Sequence, residues 1–342
     1  MCYEVTVDEV TPAEWELSAG AFADYSIYQT WAYQQVRAET DGQQVHRVVI
    51  RDENGLVCSL CQVRVKAVDA VRLRVGYVQW GPLVRRKNGE RIWSVEMFKS
   101  LKEALFQKGV NVLRIVPNLP VDSDEPTVVD VLKRAGFSRV QGLPPYRTLR
   151  VAAHDSEEGV RARLRKSFRR DLKKAEETGI QVEHSHSEES YQILESLYRV
   201  LLDRKHFKGL DPQEFTKTHP LLSDPEKMTF VVARLGGEPV AVTLSSNLGD
   251  TGIMLLVASN DRGLECGASY VIWYQSVLAA LKAGMTWCDL GGIDPEANPS
   301  VYQFKSRLGG DEVFHIGAFE CCATVGHKVI WSVGKKVHRL FK

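Results

Sequence analysis

The strongest constraint in the sequence is that one order of strand-like and helix-like segments is written twice. In the first half, Val45–Ile50 and Leu56–Val65 are apolar runs around Asp52-Glu53-Asn54-Gly55, a composition that predicts a hairpin turn. Val71–Val75 and Gly76–Leu83 add strand and loop. Arg91–Gly109 places Ile92, Val95, Phe98, Leu101, Ala104 and Leu105 at helical spacing, and Val110–Val116 is a β-branched strand closed by Pro117. Val128–Gly136 reads as a helix with a glycine stop, and Thr148–Val151 as a strand. The second half repeats this grammar. A helix is expected over Val160–Thr178, a strand at Ile180–Glu183, a helix over Tyr191–Lys205, then strands Thr229–Arg234, Pro239–Leu248 and Thr251–Ala258. The Ala268–Ala283 helix and the strand Thr286–Leu290 follow, and that strand breaks at Gly291-Gly292. A chain of 342 residues is too long for one ordinary core. The expected class is therefore α/β (α+β): two tandem domains, each a mixed sheet flanked by helices, joined near Arg147–Asp155.

Composition narrows the partners. Hydrophobic residues at 44% and charged residues at 25% describe a globular chain rather than a disordered one. Lys and Arg total 44 against 43 acids, so any surface for a polyanion must be local. Met1–Val10 carries Glu4, Asp8 and Glu9 without an apolar stretch, so no signal peptide is expected and the cytoplasm is the expected compartment. The apolar run Cys266–Leu281 is shorter than the roughly 20 residues a membrane span needs and reads as a buried helix. The seven cysteines are expected as reduced thiols. Cys58 and Cys61 form C-x-x-C, but on a strand residues three apart face opposite sides, so no metal is expected there.

Several motifs then belong together: Tyr28-Gln29-Thr30-Trp31-Ala32, Tyr77–Pro82, and a dense set between 287 and 319. That set is Trp287-Cys288-Asp289-Leu290-Gly291-Gly292-Ile293, Tyr302-Gln303-Phe304-Lys305, Gly309-Gly310 and Ile316-Gly317-Ala318-Phe319. As a group they resemble the Fem family of peptidoglycan bridge-forming aminoacyltransferases. The resemblance implies two GNAT-like domains, the first of residues 1–150 with 318–342 returning, the second of residues 151–317. It implies transfer of an amino acid from aminoacyl-tRNA to an amine of a peptidoglycan precursor, with no further cofactor and a monomeric enzyme. It also places Phe304 and Lys305 at the reacting end. Attack of an amine on an ester builds an oxyanion, which a fixed cation in a partly dry site stabilises. The same cation could hold phosphates of the tRNA acceptor end while Phe304 stacks on a terminal base; the plain alternative is a surface Lys beside a core Phe. Asp289, Gly291 and Gly292 either open a cleft to ligand or make an ordinary strand-to-loop turn.

Arg161, Arg163, Arg165, Lys166, Arg169, Arg170, Lys173 and Lys174 fan away from a stripe of Leu164, Phe168, Leu172 and Ala175. Arg165, Arg169 and Lys173 are the expected tRNA contacts, against the bland reading of a solvated face. No heptad stretch is present, so the compact type of the family, without a coiled-coil arm, is the better match. For the precursor, the resemblance points to Arg37 on the entry helix and to Arg204 or Lys208 in the second half. Val116 and Leu256 depart from the family pattern on the acceptor side. One rival is an acyl-CoA-dependent N-acyltransferase, for which Arg262–Ala268 has the wrong spacing and an unfavourable Glu265. Another is a catalytically inactive envelope or exopolysaccharide binding module. Val325–Lys342, basic and amphipathic without an acid, is expected either to dock on the first half or to rest weakly on the inner membrane surface.

Overall fold

The computed structural model describes residues 3–121, 125–153, 156–205 and 211–340. The chain divides into two compact units, Met1–Tyr146 with Phe314–Lys342, and Arg147–Val313. The strands are β1 (Glu4–Val7), β2 (Gln44–Arg51), β3 (Val57–Val68), β4 (Leu73–Gln79), β5 (Val112–Val116), β6 (Ser138–Arg139), β7 (Arg147–Ala152), β8 (Gln181–Ser185), β9 (Thr229–Leu235), β10 (Glu238–Leu248), β11 (Thr251–Ser259), β12 (Trp287–Gly292), β13 (Asp311–Phe314) and β14 (Phe319–Cys322). The helices are α1 (Pro12–Ala19), α2 (Trp31–Asp41), α3 (Val95–Gln107), α4 (Glu125–Arg134), α5 (Glu157–Arg163), α6 (Lys166–Glu176), α7 (Glu188–Lys205), α8 (Gln213–Thr216), α9 (Asp261–Glu265), α10 (Ala268–Lys282), α11 (Pro299–Ser306) and α12 (Val325–Leu340).

The first unit orders its sheet β1-β2-β3-β4-β5-β14-β6, and the second β13-β7-β12-β11-β10-β9-β8. Both are mixed sheets flanked by helices, and both follow one scheme. Four strands meander antiparallel (β1 to β4, and β8 to β11), a parallel neighbour follows (β5, and β12), and an antiparallel strand pairs with that neighbour (β14, and β7).

Local chemistry fixes these elements. Asp52 accepts from the amides of Asn54 and Leu56, and Gly55 takes φ +78°, which closes the β2–β3 hairpin where the turn residues predicted it. Thr30 caps α2 by accepting from the Tyr33 amide, and Ser94 caps α3 from the Met97 amide. The buried face of α3 is Val95, Met97, Phe98, Leu101 and Leu105, packed with Val48, Ile50, Leu113 and Ile115 of the sheet. The motif residue Gln29 is fully buried: its amide donates to the Gln79 carbonyl at 2.7 Å and its oxygen accepts from the Gln62 amide at 2.9 Å. It ties the entry of α2 to β3 and β4. Helix α12 packs on β14 and β5, where Trp331 Nε1 donates to Glu320 at 3.2 Å and the Arg114 guanidinium lies over the Trp331 ring.

In the second unit, α5, α6 and α10 share one apolar cluster with Val231, Ala233, Ala241 and Met254, while α7 lies across β10 and β11 outside it. The helix expected over Val160–Thr178 is broken. Leu164 (ψ 136°) and Arg165 (ψ 147°) are extended, separating α5 from α6. The break has a tertiary cause: the Arg165 amide donates to the Arg307 carbonyl rather than along the helix, and Gly309 lies against Arg163 so closely that a Cβ there would meet the Arg163 carbonyl oxygen at 2.1 Å. Leu164 is seated in the core by this bend. Among the described residues no helix is long and apolar enough to cross a membrane.

Candidate active site

The site is built where β11 and β12 part. They pair in parallel from Thr251↔Trp287 to Ile253↔Asp289; β11 then runs on to Ser259 while β12 bends off through Gly291 and Gly292. On its other side β12 loses register with β7 between Asp289 and Gly292. Gly291 has φ +77°, and a Cβ there would lie 3.0 Å from the Met254 carbonyl and 3.5 Å from Lys305 Nζ. Glycine is required by both the backbone conformation and the approach.

Lys305 fills the parting. It sits on α11 with 7% of its surface exposed, and its ammonium donates to the carbonyls of Gly291 (3.0 Å) and Gly292 (2.9 Å). An ammonium has three N–H donors, so these two bonds orient the third away from the protein carbonyls. The Trp273 ring lies 5.5 Å from Nζ and adds a cation–π contact. Burial lowers the pKa of Lys305 from the ordinary 10.5 to about 8, against the opposing pull of Asp289. The group is charged at neutral pH and holds its proton less firmly than a surface lysine.

Asp289 is fully buried beneath it. Its Oδ1 accepts from the Thr148 hydroxyl at 2.5 Å and from the Gly291 amide at 2.8 Å, and Arg150 Nε lies 3.6 Å from Oδ2. The Thr148 hydroxyl also stands 3.0 Å from the Gly291 carbonyl. Asp289 thus fixes the bend whose carbonyls hold Lys305. Phe304 points into an aromatic nest, its ring 5.3 Å from Tyr270 and 5.7 Å from both Phe168 and Trp273. The end of α11 is clamped to α6: Arg307 pairs with Asp171 and donates to Ser167 at 3.0 Å and Tyr270 at 3.3 Å, and Arg165 Nε reaches the Ser306 carbonyl at 3.3 Å.

The structure therefore brings Phe304, Lys305, Asp289, Gly291 and Gly292 together. Arg165, Arg169 and Lys173 are exposed at i, i+4 and i+8, on one face of α6 and its N-terminal boundary, and Arg165 borders the helix of Lys305. Arg37 belongs to the first unit, on α2, where it pairs with Asp41 at 2.9 Å. Arg204 lies in the last turn of α7 with its side chain outside the described residues, and Lys208 lies outside them altogether.

Sequence reasoning missed Thr148 and Arg150 beside Asp289, Trp273 beside Lys305, and Arg64 beside Arg37. Arg64 is buried on β3, stands 3.5 Å from Asp41, donates to Gln79 at 2.9 Å and lies over the Tyr77 ring. Burial lowers its pKa. The available signal was one charged residue inside an apolar strand, Val63-Arg64-Val65 and Leu149-Arg150-Val151. The stretch Arg262–Ala268 is poorly disposed to cradle a pyrophosphate. The Gly263 amide donates to Asn260 Oδ1, and those of Leu264, Cys266 and Gly267 are used by the turn itself.

Comparison with known proteins agrees with this topology. The crystal structure of FemX superposes with a TM-score of 0.82 over 96% of this chain and 99% of its own, at 15% sequence identity. The chain has a Fem-like GNAT fold. Residues 162–306, a span that ends just after the Phe304-Lys305 pair, match a family model described as an acetyltransferase (GNAT) domain. A conserved protein of unknown function from Bacteroides thetaiotaomicron covers 94% of this chain and 100% of its own at a TM-score of 0.59 and 11% identity. The C-terminal domain of a putative lysylphosphatidylglycerol synthetase from Agrobacterium fabrum covers 96% and 97% at a TM-score of 0.54 and 10% identity. No curated protein matches the chain in sequence. This Fem-like fold, in the second unit, supplies the parted strands that Lys305 occupies.

Proposed function

We propose that the chain is an aminoacyl-tRNA-dependent acyltransferase that moves an amino acid onto an amine of a peptidoglycan precursor or a related cell-envelope acceptor. The observation that carries this reading is the buried Lys305 ammonium, anchored on the Gly291 and Gly292 carbonyls where β11 and β12 part. An amine nitrogen attacks the ester carbonyl; the C–N bond forms, the C–O bond to the terminal ribose breaks, and the amine proton leaves with the ribose oxygen. Lys305 offers its third N–H to the oxygen on which charge develops, inside a site that Trp273 and Phe304 keep largely dry. Arg165, Arg169 and Lys173 supply an exposed cationic face for the tRNA phosphates. Arg37 and Arg64 of the first unit, held by Asp41, are suited to phosphates of the acceptor, arginine being a bidentate phosphate ligand.

The test is incubation with a mixture of charged tRNAs and candidate amine acceptors, with acetyl-CoA in a parallel arm, followed by mass analysis. An aminoacylated acceptor formed only in the tRNA arm supports the reading. Acetylation alone, or no product in either arm, overturns it. The amides of Gly263, Leu264, Cys266 and Gly267 are already engaged, which favours the tRNA arm.

A further inference from the structure

The second unit carries another concavity, remote from Lys305. It is a cleft of about 740 Å³ between the first turns of α7 and the chain from α8 to β9. His186 follows β8 and Met228 precedes β9, whereas Lys305 serves β12. The sheet order β12-β11-β10-β9 separates the two places by three strand spacings, roughly 14 Å.

Two features of the cleft are unusual. Tyr191 lines it with 7% of its surface exposed, and its hydroxyl, buried, has no hydrogen-bond partner among the described residues. Native structures leave few buried polar groups in that condition. The ring is locked by edge contacts with His219 at 5.0 Å and Phe230 at 4.8 Å, so the hydroxyl cannot turn elsewhere without breaking an aromatic cluster. The second feature is charge. Among the described residues, Glu188, Glu195 and Asp224 line the cleft against one ammonium, Lys227, which already donates to the His219 and Pro220 carbonyls at 2.9 and 3.4 Å. His219 adds no positive charge near neutral pH. It accepts the Met228 amide on Nδ1 at 3.2 Å, and burial and Lys227 pull its pKa to about 4. Glu195 is placed by the Thr216 hydroxyl, 3.3 Å from its Oε1.

We propose that this cleft is a second ligand site, built for a small organic ammonium ion, with Glu188, Glu195 and Asp224 as its anionic wall and the Tyr191 hydroxyl as the buried acceptor. The volume suits a molecule of several heavy atoms. An excess of carboxylates selects a cation, and the oxygen of a hydroxyl on a rigid ring can accept one of that cation's N–H bonds.

The experiment is a calorimetric or NMR titration of the full chain with putrescine, and separately with inorganic phosphate. Putrescine is expected to bind, and Tyr191→Phe and Glu195→Gln are each expected to weaken it about tenfold while the fold is retained, a charge-assisted hydrogen bond having that worth. Tyr191→Phe keeps the aromatic packing, and Glu195→Gln keeps the size and leaves the core untouched, so a folding defect in one does not mask the other. Lys305→Ala is expected to bind putrescine as the wild type does, which separates this site from the transferase site. Absence of putrescine binding, preference for phosphate, or binding that neither variant weakens would overturn the proposal.

Discussion

The two units reach the same parallel junction and finish it differently. In the first, β4 and β5 stay paired from Val75↔Val112 to Gln79↔Val116, and past the left-handed Trp80 the Gly81 amide donates to the Val116 carbonyl in an isolated antiparallel bridge. The end of β4 is then filled by aromatic rings: Trp80 lies 4.9 Å from Tyr28, 5.2 Å from Tyr146 and 5.6 Å from His315. In the second, pairing stops at Ile253↔Asp289, two glycines turn β12 aside, and a lysine takes the place of further ladder. One fold is thus written twice and opened once. The difference rests on few residues. Val112, Ile115 and Val116 favour a regular strand, whereas Gly291 at φ +77° shifts the register of β12.

The largest expected effect falls on the open junction. Lys305→Ala should lower amide formation at least 100-fold, about 3 kcal/mol of transition-state stabilisation, with the fold retained and stability reduced by about 1–3 kcal/mol as the Gly291 and Gly292 carbonyls lose their partner. A loss below about tenfold in a folded variant would remove Lys305 from the chemistry. The closed junction should respond in the opposite sense. Ile115→Ala, at a fully buried position of β5, should cost about 2–4 kcal/mol of stability and leave the rate per folded molecule intact, measured by denaturant titration beside activity. Gly291→Ala sharpens the contrast from within the site. A left-handed alanine costs on the order of 1 kcal/mol, and its Cβ presses on the Met254 carbonyl and Lys305, so both stability and rate should fall together. The smallest effect belongs to the surface. Replacing Arg165, Arg169 and Lys173 by Ala should leave stability unchanged, weaken tRNA binding and reduce its salt slope by about 2, as expected if most of three phosphate contacts are lost. An unchanged slope would make that face merely solvated.

What was legible in the sequence was periodicity and motif. Apolar runs alternate or recur at helical spacing in both halves, so the duplicated order of elements follows from side-chain geometry alone. Lys305 and Phe304 were reached through their motif, since a Phe-Lys pair by itself is unremarkable. The break at Leu164 was hidden because Leu164, Phe168, Leu172 and Ala175 keep helical spacing straight across it. The bend is imposed by Arg307 and Gly309, far along the chain. Thr148 and Arg150 escaped for the same reason: their partner Asp289 lies 141 and 139 positions away, and no local pattern announces it. Arg64 was half legible. A charge between Val63 and Val65 must face away from them, toward the side that Tyr77 and Gln79 share.

The central claim is that the Lys305 ammonium is held, partly dried, where the reacting ester arrives. It has a thermodynamic signature. In the folded chain Lys305 titrates near 8, below the ordinary 10.5, so between these values the unfolded chain binds the extra proton. Stability contributed by this group should therefore rise with pH across that window while its charge, and with it the transfer rate, falls. The most direct measurement is an NMR titration of the Lys305 Nζ resonance, alone and with a non-hydrolysable 3′-aminoacyl-amide analogue of the terminal adenosine. The account predicts a pKa near 8 in the free protein and a clear upward shift when the analogue's oxygen meets the third N–H. A resonance that titrates near 10.5 and ignores the analogue would contradict it.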